Sequence, residues 1–197
     1  ATLVNLQVVL AGTDTVAIDA GDVDLPASGN YSIIANLDAS GTPTLTVFEN
    51  DTSSIDAGNG RLQVRHTAAA PAVDVKADGA VAFSNLSNPN EAKADLPAAT
   101  YSVEVVPTGA DEPVVIGPAD IALPDGTSLI VYAVGSLDDD TLQVLTESIT
   151  GLGAAPEAVE TGNSPVETGV SMTAVAGMMV IATLAVGGGL TLARRSN

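Results

Sequence analysis

The fold class that the sequence predicts is an all-β extracytoplasmic sandwich, immunoglobulin-like and mostly antiparallel, followed by one C-terminal transmembrane helix. Three observations predict it. Residues 1–150 break into short runs of alternating or continuous apolar residues, separated by Gly, Asp, Asn and Pro clusters. No amphipathic helical period of respectable length interrupts them. After a polar stretch, the 24 residues 170–193 carry no charge and end on Arg194 and Arg195.

The strands can be justified in turn. "YSIIANL" (31–37) is a near-continuous apolar run, as expected of a strand buried on both sides. "RLQVRH" alternates, so Leu62, Val64 and His66 share one face while Arg61, Gln63 and Arg65 share the other. "AVDVK" sets Val73 and Val75 opposite Asp74 and Lys76, and "TYSVEVV" sets Tyr101, Val103 and Val105 on one face. "SLIVYAVG" (128–135) repeats the two-sided apolar pattern. Turn signals "DAGNG", "KADG", "LPDGT" and "LDDDT" punctuate these runs, and many short strands with frequent turns indicate a sandwich.

An internal repeat orders the strands. "LQVVLAGTD" (6–14) matches "VEVVPTGAD" (103–111), "DVDLPASGNYSIIA" (22–35) matches "DIALPDGTSLIVYA" (120–133), and "LTVFEN" (45–50) matches "LQVLTE" (142–147). The offset is 97 residues at both ends and 98 between. Residues 1–52 thus repeat the second half of a unit whose complete copy occupies 61–150. Too few strands remain in the first copy to close a sandwich. It is expected to complete one by packing on, or pairing with, later strands within a domain spanning 1–152.

Residues 153–169, "GAAPEAVETGNSPVETG", have no hydrophobic period and read as a flexible tether of at most about 55 Å. Residues 170–193 match the roughly 20 apolar residues that a helix needs to cross a bilayer. The succession Gly187, Gly188, Gly189 is unusual for a buried soluble helix. By the positive-inside rule, Arg194 and Arg195 hold a four-residue tail, 194–197, in the cytoplasm and leave the sandwich outside the plasma membrane. Ala1 is a small residue of the kind that flanks a signal-peptide cleavage site, so a removed signal peptide is expected. "SPVETG" resembles the sortase pattern Leu-Pro-x-Thr-Gly but has Ser for Leu and an extra residue between Pro165 and Thr168. Within the span, Thr173, Gly177, Ala185, Gly189 and Ala193 recur at multiples of four. Gly177, Ala185 and Gly189 are therefore the candidate helix-packing residues toward an integral membrane partner.

The segments "VRHTAAAPAVDVKADG" (64–79), "LPAATYSVEV" (96–105) and "VYAVG" (131–135) resemble a bacterial secreted family, domain of unknown function 4397. Its members show a strand ending in His, a Ser-Pro-Asp-Ala-Pro-Ala-Val-Asp-Val run, an Asp-Gly turn, a Leu-Pro-Ala-Gly-x-Tyr segment and a late Val-Val-Ala-Val-Gly. The likeness covers 61–148 and, in half-copy form, 6–50. Here Thr67, Ala68 and Ala69 stand where the family has Ser-Pro-Asp. The resemblance implies a β-sandwich at the bacterial envelope, often actinobacterial, and implies no reaction.

Composition narrows function mostly by exclusion. There are 24 Asp plus Glu against 6 Lys plus Arg, a net charge of −18, so nucleic acid would be repelled. No cysteine is present, which removes disulfides, thiolate metal sites and cysteine nucleophiles. His66, the sole histidine, lacks a Gly-x-Ser-x-Gly elbow or a second nitrogen ligand to work with. It reads as a hydrogen-bonded inward or edge residue. Asp138, Asp139 and Asp140 lack the EF-hand spacing and read as a solvated hairpin tip. No catalytic, cofactor-binding or metal-ligating residue is expected, and no enzyme. The sequence points to an anchored accessory subunit of a larger membrane assembly, such as a respiratory complex, bound through the helix and the sandwich. A freestanding surface adhesion or binding module is the alternative.

Overall fold

The computed structural model describes residues 2–154, 179–181 and 190–192. Twelve strands run through the first of these segments: β1 (Thr2–Leu10), β2 (Val16–Leu25), β3 (Tyr31–Leu37), β4 (Pro43–Glu49), β5 (Asn59–His66), β6 (Val73–Ala77), β7 (Ala80–Leu86), β8 (Glu91–Pro97), β9 (Ala99–Pro107), β10 (Ile116–Leu123), β11 (Ser128–Val134) and β12 (Gln143–Ile149). Two short strands follow, β13 (Met179–Ile181) and β14 (Leu190–Leu192). The described residues are all-β, as the alternation predicts.

Four sheets form, ordered β10-β9-β6-β7, β12-β11-β5-β8, β13-β3-β4 and β14-β1-β2. Pairing is antiparallel throughout except for β11 with β5 and β13 with β3. The complete unit is a sandwich of the first two sheets. Its core is aliphatic, built from Leu62, Val64, Val75, Val105, Leu123 and Val131 with Phe83. Burying each such side chain stabilises by about 1.5–3 kcal/mol, which lets a chain without tryptophan close a core.

The repeat is visible in space. β1, β2, β3 and β4 hold the places that β9, β10, β11 and β12 hold in the complete unit, and Val8, Ile18 and Ala35 form their own small core. Among the described residues no strand of 1–52 pairs with a strand of 59–150. The two parts meet face to face instead, where Ile34 and Phe48 pack on Ile130, Tyr132 and Val134. This contact explains the two-sided runs. β11 turns Leu129 and Val131 into the core of its own sandwich and Ile130, Tyr132 and Val134 toward β3 and β4. The link between the halves is pinned by Ile55, fully buried, whose N–H donates to the Leu152 carbonyl at 2.7 Å.

Among the described residues no helix is long and apolar enough to cross a membrane. Of the predicted span 170–193, six residues are described, and these are strand: β13 beside β3 and β14 beside β1. The rest of the span, including Gly177, Ala185 and Gly189, lies outside the described residues. So do most of the tether, 155–169, and the tail 194–197.

Candidate functional site

Strand β5 carries Arg61, Gln63, Arg65 and His66. Its Leu62 and Val64 enter the core of the complete sandwich, so pleating sends Arg61, Gln63 and Arg65 to the opposite face. That face is not open. The sheet of β3 and β4 lies over it, and Gln63 and Arg65 are both 0% exposed. Gln63 donates from Nε2 to Ser128 Oγ at 2.6 Å.

Arg65 is the hub. Its Nε donates to Glu91 Oε2 at 2.6 Å, Nη1 to the Tyr132 hydroxyl at 2.7 Å and Nη2 to Asn50 Oδ1 at 2.8 Å. The guanidinium also lies 4.4 Å from the centroid of the Phe48 ring, in cation–π range. The Tyr132 hydroxyl in turn donates to Glu147 Oε2 at 2.9 Å, and Ser32 Oγ donates to the same oxygen at 2.9 Å. Burial pushes the Tyr132 phenol up to about 12, so it stays a neutral relay between cation and carboxylate. Ser32, Phe48 and Asn50 belong to the half-copy; Arg65, Glu91, Tyr132 and Glu147 belong to the complete unit. The planar five-donor fork of arginine suits a junction where acceptors come from three directions.

A second cluster closes the rim. Arg61 binds Asp95 through two parallel bonds, Nε to Oδ1 at 2.7 Å and Nη2 to Oδ2 at 2.9 Å. It also pairs with Asp51 at 3.0 Å, and Lys93 donates to Asp51 Oδ2 at 2.7 Å. The Lys93 bond, then Ser53, and the Arg61 charge together hold the Asp51 carboxyl well below the usual carboxylate range. Lys76 pairs with Asp111 at 2.7 Å. Each of the four basic residues of 2–154 therefore fastens one segment to another.

The motif residues behind the family resemblance are held in the same way. His66 is 1% exposed, and its Nε2 lies 3.0 Å from the Pro71 carbonyl; burial lowers its pKa from the ordinary 6.5. Asp74 accepts the Asn85 N–H at 2.7 Å and the Gly109 N–H at 2.9 Å, so its carboxylate organises two turns. Asp78 and Gly79 both adopt positive φ, the geometry of a tight hairpin between β6 and β7. Tyr101 donates its hydroxyl to the Pro97 carbonyl at 2.8 Å. Gly135 sits at φ +97 where a Cβ would run into the Thr141 carbonyl.

Between the two sheets of the complete sandwich, on the side of β10 and β12, lies an aliphatic cleft of about 230 Å³. Val64, Val105, Ile116, Ile121, Val131 and Val144 line it, and almost no polar atom faces it. Such a surface recognises apolar ligands by shape alone. Asp138, Asp139 and Asp140 sit in the turn between β11 and β12. Among the described residues no three or more His, Asp or Glu side chains gather as a metal site would need.

Sequence reasoning gave His66 as a hydrogen-bonded inward or edge residue; it lies inward, against the Pro71 carbonyl. It did not find the Arg65 junction. The available signal was the confinement of every base before the tail to 61–93, in a chain otherwise rich in carboxylates.

Residues 4–76 match the family model described as "Domain of unknown function (DUF4397)". The match begins in β1 and ends in β6, so it joins the back half of one copy to the front strands of the next. No curated protein and no solved structure matches the chain. Over residues 4–76, well under half of its length, the chain is similar to the DUF4397 family, the one that its motifs resemble.

Proposed function

We propose that this chain is a non-catalytic, single-pass envelope protein, an accessory subunit that docks an acidic double sandwich onto a larger membrane assembly such as a respiratory complex. One observation carries the non-catalytic part. The polar groups best suited to chemistry, namely His66, Asp74, Tyr101 and the four bases, are each bound within the fold as structural ties. Catalytic groups are instead found in clefts, with a reacting position left open between them. The anchoring part is supported by residues 170–193, uncharged and closed by Arg194 and Arg195. A chain of net charge −18 also suits docking on a basic partner surface, with association weakened by salt.

The test is purification of the full chain from its own membranes in mild detergent. An accessory subunit emerges with integral membrane proteins in a fixed ratio. Emergence alone, at monomer size, would discard that reading. The second reading is a freestanding surface binding module, and the aliphatic cleft between β10 and β12 favours it. Under it the protein is recovered alone and the cleft takes up a small apolar probe.

A further inference from the structure

In the complete unit, β5 lies beside β11 in parallel and β6 lies beside β9 antiparallel. In the half-copy the same two places, beside β3 and beside β1, are held by β13 and β14. The correspondence extends to single residues. Val105, Val106 and Pro107 face Val75, Asp74 and Val73; Val8, Val9 and Leu10, at the repeat offset of 97, face Leu192, Thr191 and Leu190. Ile130, Val131 and Tyr132 face Gln63, Val64 and Arg65; Ser32, Ile33 and Ile34, at the offset of 98, face Met179, Val180 and Ile181. Both the parallel and the antiparallel direction are kept. Even the spacing agrees, ten residues from Gln63 to Val73 and eleven from Met179 to Leu190.

We propose that the edges of β1 and β3 form a strand-acceptor site for an uncharged, extended strand pair, and that residues 179–181 and 190–192 of the same chain are its donor. Unpaired edges present rows of free N–H and C=O groups, and strand addition satisfies them with main-chain hydrogen bonds. The donor differs from the β5–β6 pair that it imitates. Its six paired residues carry no charge, where Arg65 and Asp74 stand at the equivalent places. The donor is therefore uncharged where the pair it imitates is charged, and the same neutrality lets the segment enter a bilayer. A strand rises about 3.3 Å per residue and a helix about 1.5 Å, so 179–181 and 190–192 cannot pair with the sandwich and lie in a membrane-spanning helix at once. The bilayer and the half-copy then compete for one segment. This second state rests on the membrane reading proposed above; the acceptor site does not.

Absence of native cysteine makes the test clean. Two pairs are placed in the full chain, Val9→Cys with Thr191→Cys and Ile33→Cys with Val180→Cys, with Asn5→Cys and Thr191→Cys as a control out of register. Each is oxidised in detergent-free buffer and in phosphatidylcholine–phosphatidylglycerol vesicles, and disulfides are mapped by peptide mass. In buffer, in-register pairs should close within one chain at about tenfold the control yield, since only facing residues bring Cβ atoms to about 4.5–5.5 Å. Closure in buffer and its loss in vesicles supports both acceptor and competition. Closure in both media supports the acceptor and removes the membrane span. No closure in either medium, closure of the control equally well, or disulfides only between two copies overturns the proposal.

Discussion

Arg65 shows how one residue joins two repeats. Its side chain is fully buried, and its bonds reach Asn50 across the junction and Glu91 and Tyr132 on its own side. Removing it leaves Glu91 without its ion-pair partner, and the Tyr132 hydroxyl and Asn50 Oδ1 each short of a donor. Arg65→Ala should lower unfolding free energy by about 3 kcal/mol or more, by the usual cost of breaking a buried ion pair. Arg65→Lys should recover little, because one ammonium cannot reach three acceptors set in a planar fork. Urea unfolding midpoints at pH 7 check both; a loss near zero in Arg65→Ala would mean that the junction is not held by this network. His66 gives a pH signature. Burial depresses its folded pKa below 6.5, so the unfolded chain binds the proton more readily. Stability is complete above pH 6.5 and should fall as pH drops through it. The carboxylates whose pKa is lowered on folding, such as Asp51 and Asp74, titrate in the unfolded chain near 3.8, well below this window. Thermal melts of wild type and His66→Gln between pH 7.5 and about pH 5 isolate the step, since no second histidine exists. A step of equal size in the variant would assign it elsewhere.

At the scale of elements, strand type and turn position were legible, because periodicity and Asp-Gly chemistry are local properties of the chain. "YSIIANL" and "SLIVYAVG" even announced burial on both faces, which β3 and β11 show. β5 was legible only in part. Alternation reveals which residues share a face, but not what lies over that face. In sequence Arg61, Gln63 and Arg65 only share a face; the half-copy covers it, and Arg65 is tolerated there because each of its three guanidinium nitrogens donates a hydrogen bond. The run 170–193 was read as a span from its length, its lack of charge and the arginines that close it, features that apolar strands completing a sandwich can share; six of its residues pair with β1 and β3. The cleft between β10 and β12 was invisible to sequence because it is a property of packing between sheets. Ala133 lies on its wall, in β11. Ala133→Val adds two methyl groups into open apolar space and suits a strand, so it should stabilise by about 0.5–1.5 kcal/mol. A lower melting temperature would show that the cleft has no room to give.

At the scale of the molecule, the sequence order of strands becomes a stack of four sheets, with the repeat offset reproduced in the pairing. The charge is as unequal in space as in sequence. The four Lys and Arg residues of 2–154 are engaged in ion pairs, which leaves the unpaired surface charge to carboxylates. Such a surface does not rest on anionic lipid or nucleic acid, so a membrane location must come from the tail. The anchored orientation is the central claim, and one measurement tests it most directly. Asp14→Cys and Asn197→Cys are made singly in the otherwise cysteine-free full chain, and spheroplasts are treated with a membrane-impermeant maleimide before and after permeabilisation. The account predicts labelling of Cys at position 14 in intact spheroplasts and of Cys at position 197 only once the membrane is opened. Labelling of both positions in intact spheroplasts would contradict it.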